Sequence, residues 1–68
     1  MTEDIDESKL THLLEHWIEH NESHSKSFRD WAVKIETAGF GDAAREILLA
    51  ADNMDESTVS LKNAKGNL

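Results

Sequence analysis

The chain has no cysteine, no proline and no tyrosine, and only three glycines among its 68 residues. Without cysteine, neither a disulfide scaffold nor a thiolate metal site can form. The lack of proline removes the strongest breaker of helices, so periodic segments can run on uninterrupted. Bases are scarce too: seven Lys and Arg stand against fourteen Asp and Glu, for a formal charge of −7. Such a balance disfavours nucleic acid and anionic membrane surfaces as partners, because both are bound through surplus Lys and Arg. No apolar run approaches the roughly 20 residues of a membrane span, and the four acids within Met1 to Glu7 are unlike the basic start of a secretory signal. The expectation is a cytoplasmic protein with no membrane partner and no nucleic-acid partner. Its size allows one domain, near the lower limit of what folds alone.

The punctuation that exists sits at the ends and at one interior point. Asp4 followed three positions later by Glu7 has capping-box spacing, and acids in a first turn favour the positive end of the helix dipole. A helix is therefore expected to start between Asp4 and Ser8, behind an acidic tail of residues 1–7. Lys62, Asn63, Lys65 and Gly66 read as a last turn and its stop, with cations at the negative end of the dipole. The domain is expected to span residues 8–64, with 65–68 frayed. In between, Gly39-Phe40-Gly41-Asp42 marks a turn. Gly39 suits the left-handed position after a helix, Phe40 would then contact Ile35 as in a Schellman stop, and Asp42 would cap a second helix.

Apolar spacing fills in the rest. Leu10, Leu14, Trp17, Asn21, His24, Phe28, Trp31, Ile35 and Ala38 alternate by four and three, the heptad spacing of a helix with one buried seam. Ala44, Ile47, Ala51, Met54, Thr58 and Leu61 do the same, and Leu48 widens the stripe. An all-α fold follows, with helices over about 8–38 and 42–63 joined so tightly that they must run antiparallel. Folding the hairpin about Phe40 and Gly41 sets Trp31 opposite Ala51, Phe28 opposite Met54 and His24 near Thr58. Leu10, Leu14 and Trp17 then extend beyond most of the second helix and need a cover, making them candidate dimer contacts. The favoured solution is a homodimer in which two hairpins form a four-helix bundle. The alternative is a monomeric three-helix bundle with the first helix broken near residues 21–25; Asn21 and Ser23 could cap there, but the segment has no Gly or Pro to turn with.

His12, His16, His20 and His24 recur every fourth residue. Each such step advances about 40° around a helix and 6 Å along it, so the ladder winds from solvent toward the seam. Adjacent rungs can share a metal ion, which makes His16, His20 and His24 candidate ligands, with Glu15, Glu19 and Glu22 as oxygen donors or acceptors beside them. Nickel, zinc, cobalt or copper would suit nitrogen-rich ligation. The spacing is not that of zincins, which place Glu directly after the first His. Nor does a Glu precede any His by three residues, as in di-iron carboxylate bundles. The competing account makes Asn21 and His24 a buried polar layer that fixes register; charging a buried His24 would then loosen the bundle as the pH falls from 7.5 toward about 5.

Other apparent motifs carry less. Gly39-Phe40-Gly41 lacks the strand, third glycine and Lys of a phosphate loop. Asp52, Asp55 and Glu56 fall within a periodic helix and lack the central glycine of a calcium loop, so they read as a solvated face. Trp17, Phe28 and Trp31 read as core rather than as stacking platforms for bases. Ser23, Ser25 and Ser27 flank His24, yet no carboxylate is placed to orient that His toward a nucleophile, and no catalytic residue emerges.

The segment His16-Trp17-Ile18-Glu19-His20-Asn21-Glu22-Ser23-His24, continued by Phe28, Trp31-Ala32, Gly39 and the Ala- and Leu-rich second helix, resembles a short His-containing helical domain of unknown function that recurs in anaerobic bacteria and archaea. The resemblance covers about residues 8–61 and implies a self-standing helical domain with no activity attached. The expected function is a small non-catalytic module that self-associates and binds a protein partner or a transition metal. The alternatives are a metal carrier or sensor built on the histidine ladder, with nickel, zinc or cobalt as its ion, and an acidic adaptor that meets a basic protein.

Overall fold

The computed structural model describes residues 4–68; Met1 to Glu3 of the expected acidic tail lie outside the described residues. Two helices, α1 (Glu7–Thr37) and α2 (Gly41–Gly66), make up the fold. They pack as an antiparallel hairpin of 50 × 22 × 18 Å. Helix α1 is continuous across residues 21–25, so the three-helix alternative does not form. With neither Gly nor Pro in that stretch, every backbone N–H keeps its partner one turn back.

The helix ends follow local chemistry, with three differences from expectation. Asp6, not Asp4, caps α1: its carboxylate accepts from the Lys9 backbone N–H at 2.7 Å. Lys9 in turn donates its ammonium to the Asp4 carbonyl. The stop after α1 is the expected Schellman turn, since Phe40 N–H donates to the Ile35 carbonyl and Gly39 N–H to that of Glu36. Gly39 holds φ at +100°, where a side chain would be strained. Asp42 does not cap α2. Helical structure already begins at Gly41, the backbone of Phe40 occupies the cap position without a side-chain bond, and Asp42 pairs with Arg45 one turn on at 2.9 Å. Helix α2 also runs three residues past the expected 63, to Gly66.

The seam between the helices is half the one that apolar spacing picks out. Leu14, Asn21, Phe28 and Ile35 line it as expected, but their partners on α1 are Thr11, Ile18, Ser25 and Ala32. Leu10, Trp17, His24 and Trp31, one residue earlier in each case, sit about 100° around the helix. Leu10 is half-buried, and the other three are exposed. The reason is steric. Ala32, Ala44 and Ala51 are 0–1 % exposed, and Ser25 and Thr58 are buried as well. Two helices joined by a short turn approach closely where small residues face each other, and an indole has no room in that contact. Ala51 and Ala32 are both buried in this contact, whereas Trp31 stays outside it. Thr58 satisfies its buried hydroxyl by donating to the Met54 carbonyl, and among the described residues no buried side-chain polar atom lacks a partner.

The longer α2 changes the account of the overhang. Lys62 reaches Glu22 at 3.2 Å and Lys65 reaches Glu15 at 3.7 Å, so α2 covers α1 back to the level of Leu14, which is buried within the hairpin. Leu14 is therefore no free dimer contact in this chain. Only the first two turns of α1 extend beyond the second helix.

Candidate functional site

Helix α1 has two long flanks on either side of the seam, and they carry opposite chemistry. On one, charges cross to α2. Arg29 donates from its Nη2 to Asp52 at 2.9 Å and to Asp55 at 2.6 Å, and the buried Ser25 hydroxyl donates to the other oxygen of Asp55 at 2.5 Å. The Ser25 hydrogen bond, and after it Arg29, holds the Asp55 carboxyl below its ordinary value of 3.8, because both favour the charged form. The two carboxylates raise Arg29 further above its already high value. Glu22–Lys62 and Glu15–Lys65 continue the row. Exposed pairs of this kind fix register more than they add stability. Glu15 and Glu22 are thereby drawn away from the histidines they were expected to assist.

The other flank is uncharged over most of its length. Leu13, Trp17, His20, His24, Ser27 and Trp31 follow one another at intervals of four and three, all exposed. Trp17 is 43 % and Trp31 57 % exposed, the two largest apolar side chains of the chain; Val33, Phe40, Leu49 and Val59 are exposed as well. Lys34 closes one end of this flank, its ammonium 4.7 Å from the centre of the Trp31 ring, a cation–π contact. The side chains of Ile47, Met54 and Leu61 lie on the same side of the seam along α2 and are half-buried.

His20 and His24 stand on this uncharged flank and His16 beside it, whereas His12 lies with Glu7 and Glu15 toward the charged side. All four are exposed, so His24 is not the buried layer expected with Asn21. Asn21 is half-buried, and the buried polar positions are Ser25 and Thr58. The seven-residue spacing of Ile18, Ser25 and Ala32, matched by Ala44, Ala51 and Thr58, was the sequence signal for that layer. His16 stacks on His20 with ring centres 6.3 Å apart. His20 and His24 come closer, with rings edge to face at 4.4 Å and their Nε2 atoms 3.1 Å apart. The His24 ring lies 6.1 Å from that of Phe28, so the ladder ends against the apolar side of the seam.

Of the three candidate metal ligands, the structure brings His20 and His24 together. A tetrahedral ion with bonds of about 2.0–2.1 Å sets adjacent nitrogens about 3.3 Å apart; the Nε2 atoms of His20 and His24 are joined by a 3.1 Å hydrogen bond, whose proton an ion would have to replace. His16 does not join them: among the described residues, no group of three or more His, Asp or Glu side chains is arranged to hold an ion. One shallow depression is lined by Glu7, Ser8, Thr11, His12 and Glu15 and another by Glu15, Ile18, Glu19, Glu22, Lys62 and Lys65; among the described residues, no hydrogen bond ties a hydroxyl of the first to His12. Among the described residues, no helix is long and apolar enough to cross a membrane.

Comparison with known proteins places the chain without naming an activity. It is 39 % identical over 56 residues to an uncharacterised protein of Archaeoglobus fulgidus, an alignment that covers 82 % of this chain and 89 % of the relative. No solved structure matches it. Residues 10–68 match a domain of unknown function, DUF8180, and these residues hold both helices almost entire, with the aromatic flank and the histidine ladder: the chain belongs to the DUF8180 family.

Proposed function

We propose that the chain is a small non-catalytic helical module of the cytoplasm that works by self-association, two hairpins joining along the uncharged flank of α1 as a homodimeric four-helix bundle. The observation that carries this reading is the exposure of Trp17 and Trp31 on one flank while the charged side chains are engaged on the other. Exposed aromatic groups in a row are the composition of an interface core. Burying them removes apolar surface from water, and a two-helix chain has few other ways to do so. The charge of −7 repels a copy at long range, but the contact surface itself carries almost none of it. Sedimentation equilibrium of tag-free protein tests the reading: twice the chain mass is expected at micromolar concentration. The double variant Trp17→Ser, Trp31→Ser should sediment as a helical monomer, since indoles at interface centres are worth about 2 kcal/mol or more each, some 30-fold in Kd. A monomeric wild type at about 100 μM, a weak Kd on the same scale, would overturn it.

A second reading is favoured by the His20–His24 pair, whose 3.1 Å separation suits a transition metal: the module then serves as a carrier or sensor of nickel, zinc or cobalt. The surplus of acids supports a further partner, a basic protein met by the face that remains exposed in the dimer.

A further inference from the structure

We infer that the two copies meet about a two-fold axis level with Glu22, their α1 helices antiparallel, and that His20 and His24 of both copies there form one four-imidazole site for a divalent transition metal. The inference rests on the self-association reading above and goes beyond it in placing the axis and the site.

The uncharged flank has a symmetry of its own. Its positions 13, 17, 20, 24, 27 and 31 are spaced four, three, four, three and four, a pattern that reads the same in both directions about residue 22. Antiparallel helices related by a two-fold axis at that level set each residue opposite the one equally far beyond the axis. Leu13 then faces Trp31, Trp17 faces Ser27, and His20 faces His24. The large groups meet small or aliphatic ones, as interdigitation requires, with no like charges opposed. Residue 22 is also the middle of α1, which spans Glu7–Thr37, so this axis uses the whole helix. From Leu13 to Trp31 the flank runs about 27 Å, and across the hairpin's 18 Å width it gives about 500 Å² per partner, the size of a small interface that a shared ion would reinforce.

The same axis solves the shortage of ligands. One chain presents two imidazoles whose Nε2 atoms share a 3.1 Å hydrogen bond, a proton that a metal ion would displace, and among its described residues no third ligand joins them. The site is incomplete without the second copy, which brings an identical pair to the axis and makes four nitrogens, a full set for a tetrahedral ion. Ligation needs neutral imidazoles, and of the nearby carboxylates Glu15 and Glu22 are held on the opposite flank by Lys65 and Lys62, with Glu19 beside them in the same depression. The donors are therefore all nitrogen, which selects zinc, nickel, cobalt or copper over magnesium or calcium. A dication at the axis would also offset part of the repulsion between two acidic chains.

Zinc is the probe. Tag-free protein, first stripped with a chelator, is titrated with zinc against a chromophoric competitor while its mass is followed by sedimentation. The expected result is one zinc per two chains and a dimer at least 10-fold tighter with zinc. His20→Ala and His24→Ala should each lose zinc at least 100-fold, whereas His12→Ala and His16→Ala should keep it. Both sensitive positions are exposed, and circular dichroism of the variants confirms that their helices are intact. A spin label on a Ser27→Cys variant reads the orientation: the antiparallel axis sets the two copies' residue 27 about 18 Å apart, against about 10 Å for parallel helices. One zinc per chain, binding unaffected by His20→Ala and His24→Ala, or a label distance near the shorter value would overturn the inference. A dimer equally tight with and without zinc would overturn the metal site while leaving self-association intact. A monomer under both conditions would overturn both.

Discussion

Along one side of the hairpin, Glu15, Glu22 and Arg29 reach across to Lys65, Lys62 and the carboxylates of Asp52 and Asp55. Along the other, Trp17, His20, His24 and Trp31 stand exposed with half-buried Ile47, Met54 and Leu61 beside them. The first flank is complete within one chain. Its charges have partners, and the buried Ser25 hydroxyl is tied to the same carboxylate as Arg29. The second holds the larger apolar groups and leaves them in water. The contrast separates two tasks that a short chain cannot give to one surface. Ion pairs set which turn of α2 faces which turn of α1, and apolar area, the stronger driving force, stays exposed, which is the basis of the proposed association.

The sharpest break in this comparison comes from the seam between the flanks. Ala51 is fully buried, so Ala51→Leu forces three extra carbons into the closest approach of the two helices. Overpacking of that kind costs about 1–3 kcal/mol, a large share of what a domain of this size possesses. Urea melts should show the midpoint falling accordingly, with helicity lost at lower denaturant. Trp31→Ser removes a far larger side chain from the exposed flank, and its cost should appear in the dissociation constant rather than in the stability of the separated hairpin. If the two variants shift the melt of a dilute, monomeric sample equally, seam and flank are not the distinct surfaces described above.

Much of the fold was legible in the sequence. The two helices, the Schellman turn at Gly39 and the seam positions Leu14, Asn21, Phe28 and Ile35 all follow from spacing and from one glycine. The other half of the seam did not. Periodicity weights the largest apolar groups, so it selects Trp17, His24 and Trp31, whereas contact between closely joined helices selects the smallest, Ser25 and Ala32. Both stripes share the same four residues and differ by one position in the others, and amphipathicity alone cannot say which faces the partner helix. The histidine ladder was legible as a spacing, but the selection of His20 and His24 depended on rotamers, which no spacing encodes. Asp42 failed as a cap because its carboxylate pairs with Arg45, a competition that both residue types leave open.

A smaller effect isolates the turn that makes the two flanks possible. Nothing lies within 4 Å of a Cβ built on Gly39, yet its φ is +100°, so Gly39→Ala meets only backbone strain. A cost of about 1–2 kcal/mol is expected, read as a lower urea midpoint with an unchanged slope. Gly41→Ala is the control: its surroundings are equally open and its φ is ordinary, so it should be neutral or slightly stabilising in a first helical turn. Equal losses at both positions would place the strain somewhere other than the left-handed backbone.

The smallest effect belongs to the charged flank, and its sign follows from Asp55. The Ser25 hydrogen bond and then Arg29 hold this carboxyl below its ordinary value of 3.8, so the unfolded chain takes up the proton first as the pH falls. The stabilisation is therefore fully present above about pH 4 and is lost as acid protonates the folded state. Because the groups are exposed, the change is modest, a drop in Tm of less than about 5 °C. Asp55→Asn should melt with a flatter dependence on pH between about 4.5 and 2.5. Asp30 provides the internal comparison. Its carboxyl is lowered in the same direction by Lys26, but that pair lies within α1 and ties nothing across the hairpin. Asp30→Asn should flatten the profile as well without loosening the contact between helices, whereas Asp55→Asn should also raise hydrogen exchange in the turns of α2 around residue 55. Parallel acid profiles for wild type and Asp55→Asn would mean that the charged flank sets register without contributing measurable stability, and that the two flanks differ in geometry but not in energy.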